Sequence, residues 1–156
     1  MNTYYLAVDI GASSGRHILG WMEDGKLRLE EIYRFPNGMK HVDGSLCWDV
    51  KALFYEIKEG LKRCREAGKI PSFMGIDTWA VDYVLLDEKD QILGKTYGYR
   101  DGRTNGMDMK VYEEISLKDL YARTGIQKQM FNTIYQLMAV KQKEPELLER
   151  AESMLM

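Results

Sequence analysis

The sequence has almost none of the residues from which disulfide scaffolds and metal centres are built. Its only cysteines are Cys47 and Cys64, with no CxxC pair. That excludes a disulfide framework and points to reduced thiols in a cytoplasmic protein. Its only histidines, His17 and His41, are too few and too poorly placed for a metal site and read as structural. Positive charge is not in excess: 22 lysines and arginines stand against 24 acids, a net charge of −2. The clustered basic surface that nucleic-acid binding needs is therefore missing, and no nucleic-acid partner is expected. No apolar run approaches the roughly 20 residues that cross a bilayer, so no membrane partner is expected either. The N-terminal MNTYYLAVDIG lacks a basic n-region and is interrupted by Asp9. It reads as a first strand rather than a signal peptide. Neither the P-loop pattern GxxxxGK[ST] nor the dinucleotide pattern GxGxxG occurs. Repeats, low-complexity tracts and evident linkers are absent too.

What is there is ordinary globular material: 156 residues, 45% hydrophobic and 29% charged, with ten methionines that read as core filler. The length suggests one domain or a large piece of one. Apolar runs at 4–10, 16–22 and 27–35 predict three consecutive antiparallel strands, the first buried, with Asp24-Gly25 as a tight hairpin turn. Val50, Leu53, Phe54, Ile57, Leu61 and Cys64 recur at three- and four-residue steps. They predict a helix between Asp49 and Gly68. Residues 73–76, 81–86 and 91–93 return as short strands. After about residue 100 the pattern turns helical. Ser116 begins one helix, which Thr124-Gly125 ends. Asn132-Thr133 begins another, with Ile134, Leu137 and Met138 on one face, and Pro145 opens the next. The order β-β-β-α-β-β followed by helices predicts a mixed sheet rather than a doubly wound one.

Three segments carry candidate chemistry. In AVDIGASSGR, Gly11 and Gly15 permit close backbone approach. Successive N–H groups of such a turn can cup an anion. Ser13 and Ser14 add hydroxyl donors, and Arg16 a guanidinium fork. Asp9 would repel phosphate alone, which calls for a bridging Mg²⁺. The alternative is a glycine-rich hairpin with a solvated arginine, the commoner outcome for this composition. In GIDTWAVDYVLLD, Asp77 and Asp82 flank Trp79. Carboxylates beside an indole suit a sugar, and equally suit a strand with surface acids and a core tryptophan. In YRDGRTNG, Arg100, Asp101 and Arg103 could grip a polar ligand, but read first as a surface ion-pair cluster.

Taken in order, AVDIGASSGR, GSLCWDV, GIDTWAVDYVLLD, YRDGRTNG, RTGIQ and FNTIYQL resemble the N-terminal part of the FGGY family of carbohydrate kinases, in its L-rhamnulose branch. The resemblance covers essentially the whole chain. It implies an α/β, ribonuclease-H-like (actin-like ATPase) mixed sheet with flanking helices. It makes residues 1–156 an incomplete N-terminal domain. It implies transfer of the ATP γ-phosphate to the 1-hydroxyl of L-rhamnulose, with ATP and Mg²⁺ as cofactors. By match to the family's first phosphate motif, Ala12, Ser13, Ser14, Gly15 and Arg16 would contact ATP, and Asp9 would sit near the metal. Ala80 falls where this branch keeps a small residue against the sugar, and Trp79 and Asp82 would be its neighbours. The family's catalytic base is implied to lie beyond Met156, so no residue here is assigned that role and the isolated chain is expected to be inactive. Exposed apolar surface gives an expectation of self-association. The competing readings are a kinase for another ketose and a non-catalytic nucleotide- or sugar-binding module.

Overall fold

The computed structural model describes residues 2–156. In chain order the elements are β1 (Tyr5–Ile10), β2 (Ser14–Glu23), β3 (Lys26–Pro36), β4 (Lys40–Val42), β5 (Ser45–Cys47), α1 (Val50–Glu66), β6 (Phe73–Thr78), β7 (Val84–Leu86), β8 (Ile92–Leu93), α2 (Met107–Tyr112), α3 (Leu117–Thr124), α4 (Thr133–Lys143), α5 (Pro145–Arg150) and β9 (Ser153–Leu155). A short 3₁₀ turn, Gly102–Thr104, precedes α2. The chain divides into two compact units. One holds the residues up to Met39 with Asp49–Trp79, and the other holds Lys40–Trp48 with Ala80–Met156.

The first unit is a sheet of order β3-β2-β1-β6. The β1, β2 and β3 strands form an antiparallel meander, and β6 lies parallel to β1 after the α1 crossover. This is the ribonuclease-H-like arrangement that the resemblance implies. Asp24 (φ +51°) and Gly25 (φ +73°) turn β2 into β3, the left-handed pair that a two-residue hairpin needs. Asp49 caps α1 by accepting from the Ala52 N–H at 2.9 Å, and Gly68 leaves its end at φ +70°. Leu6, Val8, Ile10, Leu19, Phe35 and Cys64 form the core, with Leu53, Ile57 and Leu61 of α1 packed against it.

Two expectations are corrected here. β1 is buried on one face only, since Tyr5 is exposed and no element of this unit covers the side that carries Tyr5, Leu27 and Leu29. Phe54 belongs to the apolar stripe by spacing, yet it is 60% exposed, with the Lys58 ammonium over its ring. The stripe is wider than the contact the sheet makes, and Phe54 sits at its edge.

In the second unit β7 is central, antiparallel to β8 and β9, beside a β4–β5 hairpin turned by Asp43 and Gly44 at positive φ. Neither that hairpin nor β9 is signalled by sequence, because three-residue strands carry too little periodicity. Ser116 caps α3, and Gly125 closes it at φ +65°. Pro145 opens α5 as anticipated. The buried side of α4 consists of Tyr135, Gln136, Ala139 and Val140. It therefore lies one residue away from the predicted Ile134, Leu137 and Met138 face.

Candidate functional site

The GASSGR segment is the connection between β1 and β2, and three hydrogen bonds fix its shape. Gly11 N–H donates to Ser14 O at 2.9 Å, closing the turn on itself. Asn37, just past β3, then ties the turn from outside. Its backbone N–H donates to Ser13 O at 3.0 Å and its Nδ2 to Gly11 O at 2.9 Å, while its Oδ1 accepts from Gly38 N–H at 2.9 Å. Among the described residues, the N–H groups of Ala12 and Ser13 take no part in this closure. Backbone N–H groups of a turn, when not used in its closure, are the kind of donor that can cup an anion.

Gly15 is required by contact rather than by dihedral angle. A Cβ there would lie 2.1 Å from the end of the Phe35 ring, which is itself buried. The small residues of this turn therefore serve two ends: Gly15 admits the core ring beneath, and Gly11 admits the tight closure above.

Asp9 and Arg16 face each other across β1 and β2. Two guanidinium nitrogens of Arg16 donate to one oxygen of Asp9, Nε at 2.9 Å and Nη2 at 2.8 Å. Both side chains are nearly half exposed, 45% and 44%. Such a pair contributes little to stability, at most about 1 kcal/mol. Its significance is positional: the fork expected to reach for phosphate is turned onto Asp9, whose charge it offsets. On the other side of Asp9, Asp77 of β6 occupies the matching register position of the parallel pair. Aligned residues of parallel strands share a face, so the two carboxylates stand together there.

The GIDTWAVD segment runs from one unit into the other. Trp79 packs on the core of the first unit. Ala80 is exposed and Asp82 is 9% exposed. Within the second unit the Asp82 carboxylate gathers donors from three directions. Oδ2 accepts from Trp48 Nε1 at 2.6 Å and from Tyr99 N–H at 3.0 Å, and Oδ1 accepts from Gln136 Nε2 at 3.0 Å. This geometry makes Asp82 a brace for the segment next to Ala80. Sequence reasoning weighed Asp82 against a sugar hydroxyl or a surface position, and had no sign of this enclosure.

The YRDGRTNG cluster is not an exposed ion-pair group. Asp101 accepts from Leu46 N–H at 2.8 Å and from Arg103 N–H at 2.9 Å, pinning the β5 strand and the 3₁₀ turn. Arg103 points inward, its guanidinium 4.0 Å from the Tyr97 ring centre and its Nη2 donating to Gln136 Oε1 at 2.6 Å. Asn37 and Gln136 are the residues sequence reasoning missed. Gln136 lies off the face predicted for α4, so the sequence carried no sign of its burial. Asn37 had no sign either, because its contacts arise only when β3 pairs in the sheet.

Four further groups are shifted by their surroundings. His17 is fully buried between Tyr33, Phe35 and α1, and its burial lowers its pKa below the usual value. Tyr33 donates to Glu56 at 2.5 Å, and that bond, more than burial, raises its pKa to about 12. Burial pushes both free thiols, Cys47 and Cys64, upward, the direction of an inert cysteine. Among the described residues no group of three or more metal-ligating side chains occurs, and no helix is long and apolar enough to cross a membrane.

Over residues 4–156 the chain matches the N-terminal domain of the FGGY family of carbohydrate kinases. It is 56% identical over 153 residues to a rhamnulokinase of Halalkalibacterium halodurans, covering 98% of this chain and 32% of that protein. It is 52% identical over 151 residues to a rhamnulokinase of Oceanobacillus iheyensis, again with 97% and 32% covered. The chain thus spans 32% of the length of these relatives. Among solved structures, the gluconate kinase of Lactobacillus acidophilus superposes with a TM-score of 0.78 at 17% identity, covering 99% of this chain and 31% of that one. The ligand-bound xylulose kinase of the same organism gives 0.76 at 18%, covering 97% and 31%. At such identities these two show the fold alone. With the family pattern running from Tyr4 to Met156, the chain belongs to the FGGY family of carbohydrate kinases.

Proposed function

We propose that a protein of the relatives' length carrying this segment is an ATP-dependent L-rhamnulose kinase of the cytoplasm, transferring the γ-phosphate to the sugar's 1-hydroxyl. Residues 1–156 are then the first portion of its N-terminal domain. The observation that carries this reading is the tied GASSGR hairpin, set in a chain that is 56% identical to a rhamnulokinase.

In this reading Ala12 to Arg16 hold the nucleotide phosphates, with the free N–H groups of Ala12 and Ser13 donating and the hydroxyls of Ser13 and Ser14 beside them. Ala80 lies against the sugar, Trp79 flanks it, and Asp82 keeps the backbone next to it in place. The donor chemistry near the turn fits Mg²⁺. Asp9 and Asp77 supply hard oxygen ligands on one face of the sheet, which suits an ion that keeps several waters and takes few carboxylates. When bound, Mg²⁺ supplies neutralisation of the phosphate charge. The residues of this chain contribute positioning and donors, the main contributions in phosphoryl transfer. The groups that complete such a reaction come from two closing lobes, so the 156-residue chain by itself has no turnover.

The test is an ADP-release assay on a protein of the relatives' length, with L-rhamnulose compared against a panel of other ketoses, and on the 156-residue chain alone. Selective turnover with L-rhamnulose by the long chain and none by the short one supports the reading. Preference for another ketose would move the assignment within the family. Calorimetric nucleotide binding without any sugar response would favour a non-catalytic module. Turnover at kinase rates by the short chain would refute the two-lobed argument.

A further inference from the structure

Immediately after Ala80 the backbone adopts a conformation its residue disfavours. Val81 has φ +71°. A β-branched residue in the left-handed region is a true outlier, and such strain persists only where the surroundings over-determine it. The surroundings are two side chains of α4. Thr133 Oγ1 donates to Val81 O at 2.9 Å, and Gln136 Nε2 donates to the same oxygen at 3.2 Å.

Gln136 is the hub of this arrangement. It is 1% exposed. Its Nε2 also donates to Asp82 Oδ1 and to Phe131 O, each at 3.0 Å, and its Oε1 accepts from Arg103 Nη2 at 2.6 Å. The amide hydrogens are shared among three acceptors and the oxygen takes a guanidinium, so both polar atoms of the side chain are engaged. A buried amide is worth its desolvation only when so satisfied, and a leucine would serve the apolar side of α4 at lower cost. The amide's role is therefore in what it holds.

We propose that Gln136, assisted by Thr133, is a positioning residue that locks Val81 in the left-handed conformation and so sets how Ala80 meets the sugar. This rests on the reading of residues 79–82 as the sugar segment. It makes sugar affinity and ketose selectivity depend on a side chain that touches no ligand. Nucleotide affinity, which belongs to the GASSGR hairpin, is independent of it.

The experiment is steady-state kinetics on a protein of the relatives' length, varying L-rhamnulose and ATP separately, with folding followed by thermal melting. Gln136→Leu raises KM for L-rhamnulose about tenfold, the equivalent of one lost buried hydrogen bond, and Thr133→Val raises it about threefold. KM for ATP stays within about twofold in both, and selectivity among ketoses falls. Val81→Gly adopts the same φ without strain. Combined with Gln136→Leu, it restores part of the lost sugar affinity. Unchanged sugar KM in both single variants, or equal losses toward sugar and ATP, overturns the proposal. Should Gln136→Leu fail to fold, Thr133→Val decides alone. Failure of the unaltered protein to phosphorylate any ketose refutes the sugar-kinase reading itself, and the proposal falls with it. The two failures are separated by that control.

Discussion

Replacing Gly60 by alanine sets two opposing effects against each other in the middle of α1. On helix propensity alone the change is favourable, by about 1 kcal/mol. The structure opposes it. A Cβ at position 60 would lie 2.2 Å from His17 Cδ2 and Nε2 and 2.4 Å from its Cγ. The ring has nowhere to go: it is fully buried, with Tyr33 and Phe35 ring centres at 5.6 and 6.1 Å, and its Nε2 faces Ile57 O at 3.3 Å. Relief requires α1 to lift from the sheet or the imidazole to leave its contacts, which overpacking studies put at about 1–3 kcal/mol. Loss of the Ile57 contact adds up to about 1 kcal/mol. The clash wins, and Gly60→Ala lowers stability by about 1–2 kcal/mol in urea denaturation followed by circular dichroism. The same substitution in a His17→Ala background meets empty space, so propensity governs and it stabilises by about 1 kcal/mol. The double-mutant cycle thus shows a coupling of about 2–3 kcal/mol. A Gly60→Ala variant as stable as the parent, or one whose effect is the same with and without His17, refutes the steric reasoning.

Further outcomes follow from other sites. Because burial depresses the His17 pKa, the folded state binds fewer protons than the unfolded one near that pKa. Stability conferred by neutral His17 is complete above about pH 6.5 and declines as pH falls toward the folded-state value, and urea midpoints measured down a pH series show that decline flattened in His17→Gln. Asn37→Ala frees the turn from β3 and raises KM for ATP in a protein of the relatives' length by about tenfold with sugar KM unmoved. Equal effects on both substrates would contradict the tie. Asp82→Asn leaves one acceptor oxygen where Trp48, Tyr99 and Gln136 all donate, and a denaturation midpoint corresponding to a loss of about 2 kcal/mol is expected.

The first unit was legible because its signals are long. Strands of six to eleven residues and a helix of 17 leave periodicities that survive noise. The Asp24-Gly25 turn and the Asp49 cap were readable because each is a local rule with a local mechanism, as is the Ser116 cap of the second unit. The second unit was less so. Its strands are two or three residues long, and its order comes from polar side chains reaching 33 to 55 positions along the chain, as Arg103, Gln136 and Asp101 do. Such bonds have no spacing signature. The candidate site divides in the same way. The composition of GASSGR announced a turn with donors, but the Asn37 tie and the engagement of Arg16 by Asp9 depend on strand pairing. Val81 shows the limit most sharply, since nothing in AVD distinguishes a valine at φ +71° from one in an ordinary strand.

If the GASSGR turn holds phosphate as proposed, the Asn37 tie changes what a nucleotide has to accomplish on arrival. A glycine- and serine-rich turn left to itself samples many shapes, and a ligand must select one, giving up affinity in proportion to the freedom removed. Here the shape is chosen when β3 joins the sheet, long before any phosphate is present, so the ordering is an expense of folding rather than of recognition. Binding at this turn should accordingly show little loss of conformational entropy. Severing the tie should leave the contacts with phosphate intact and weaken the complex through disorder alone.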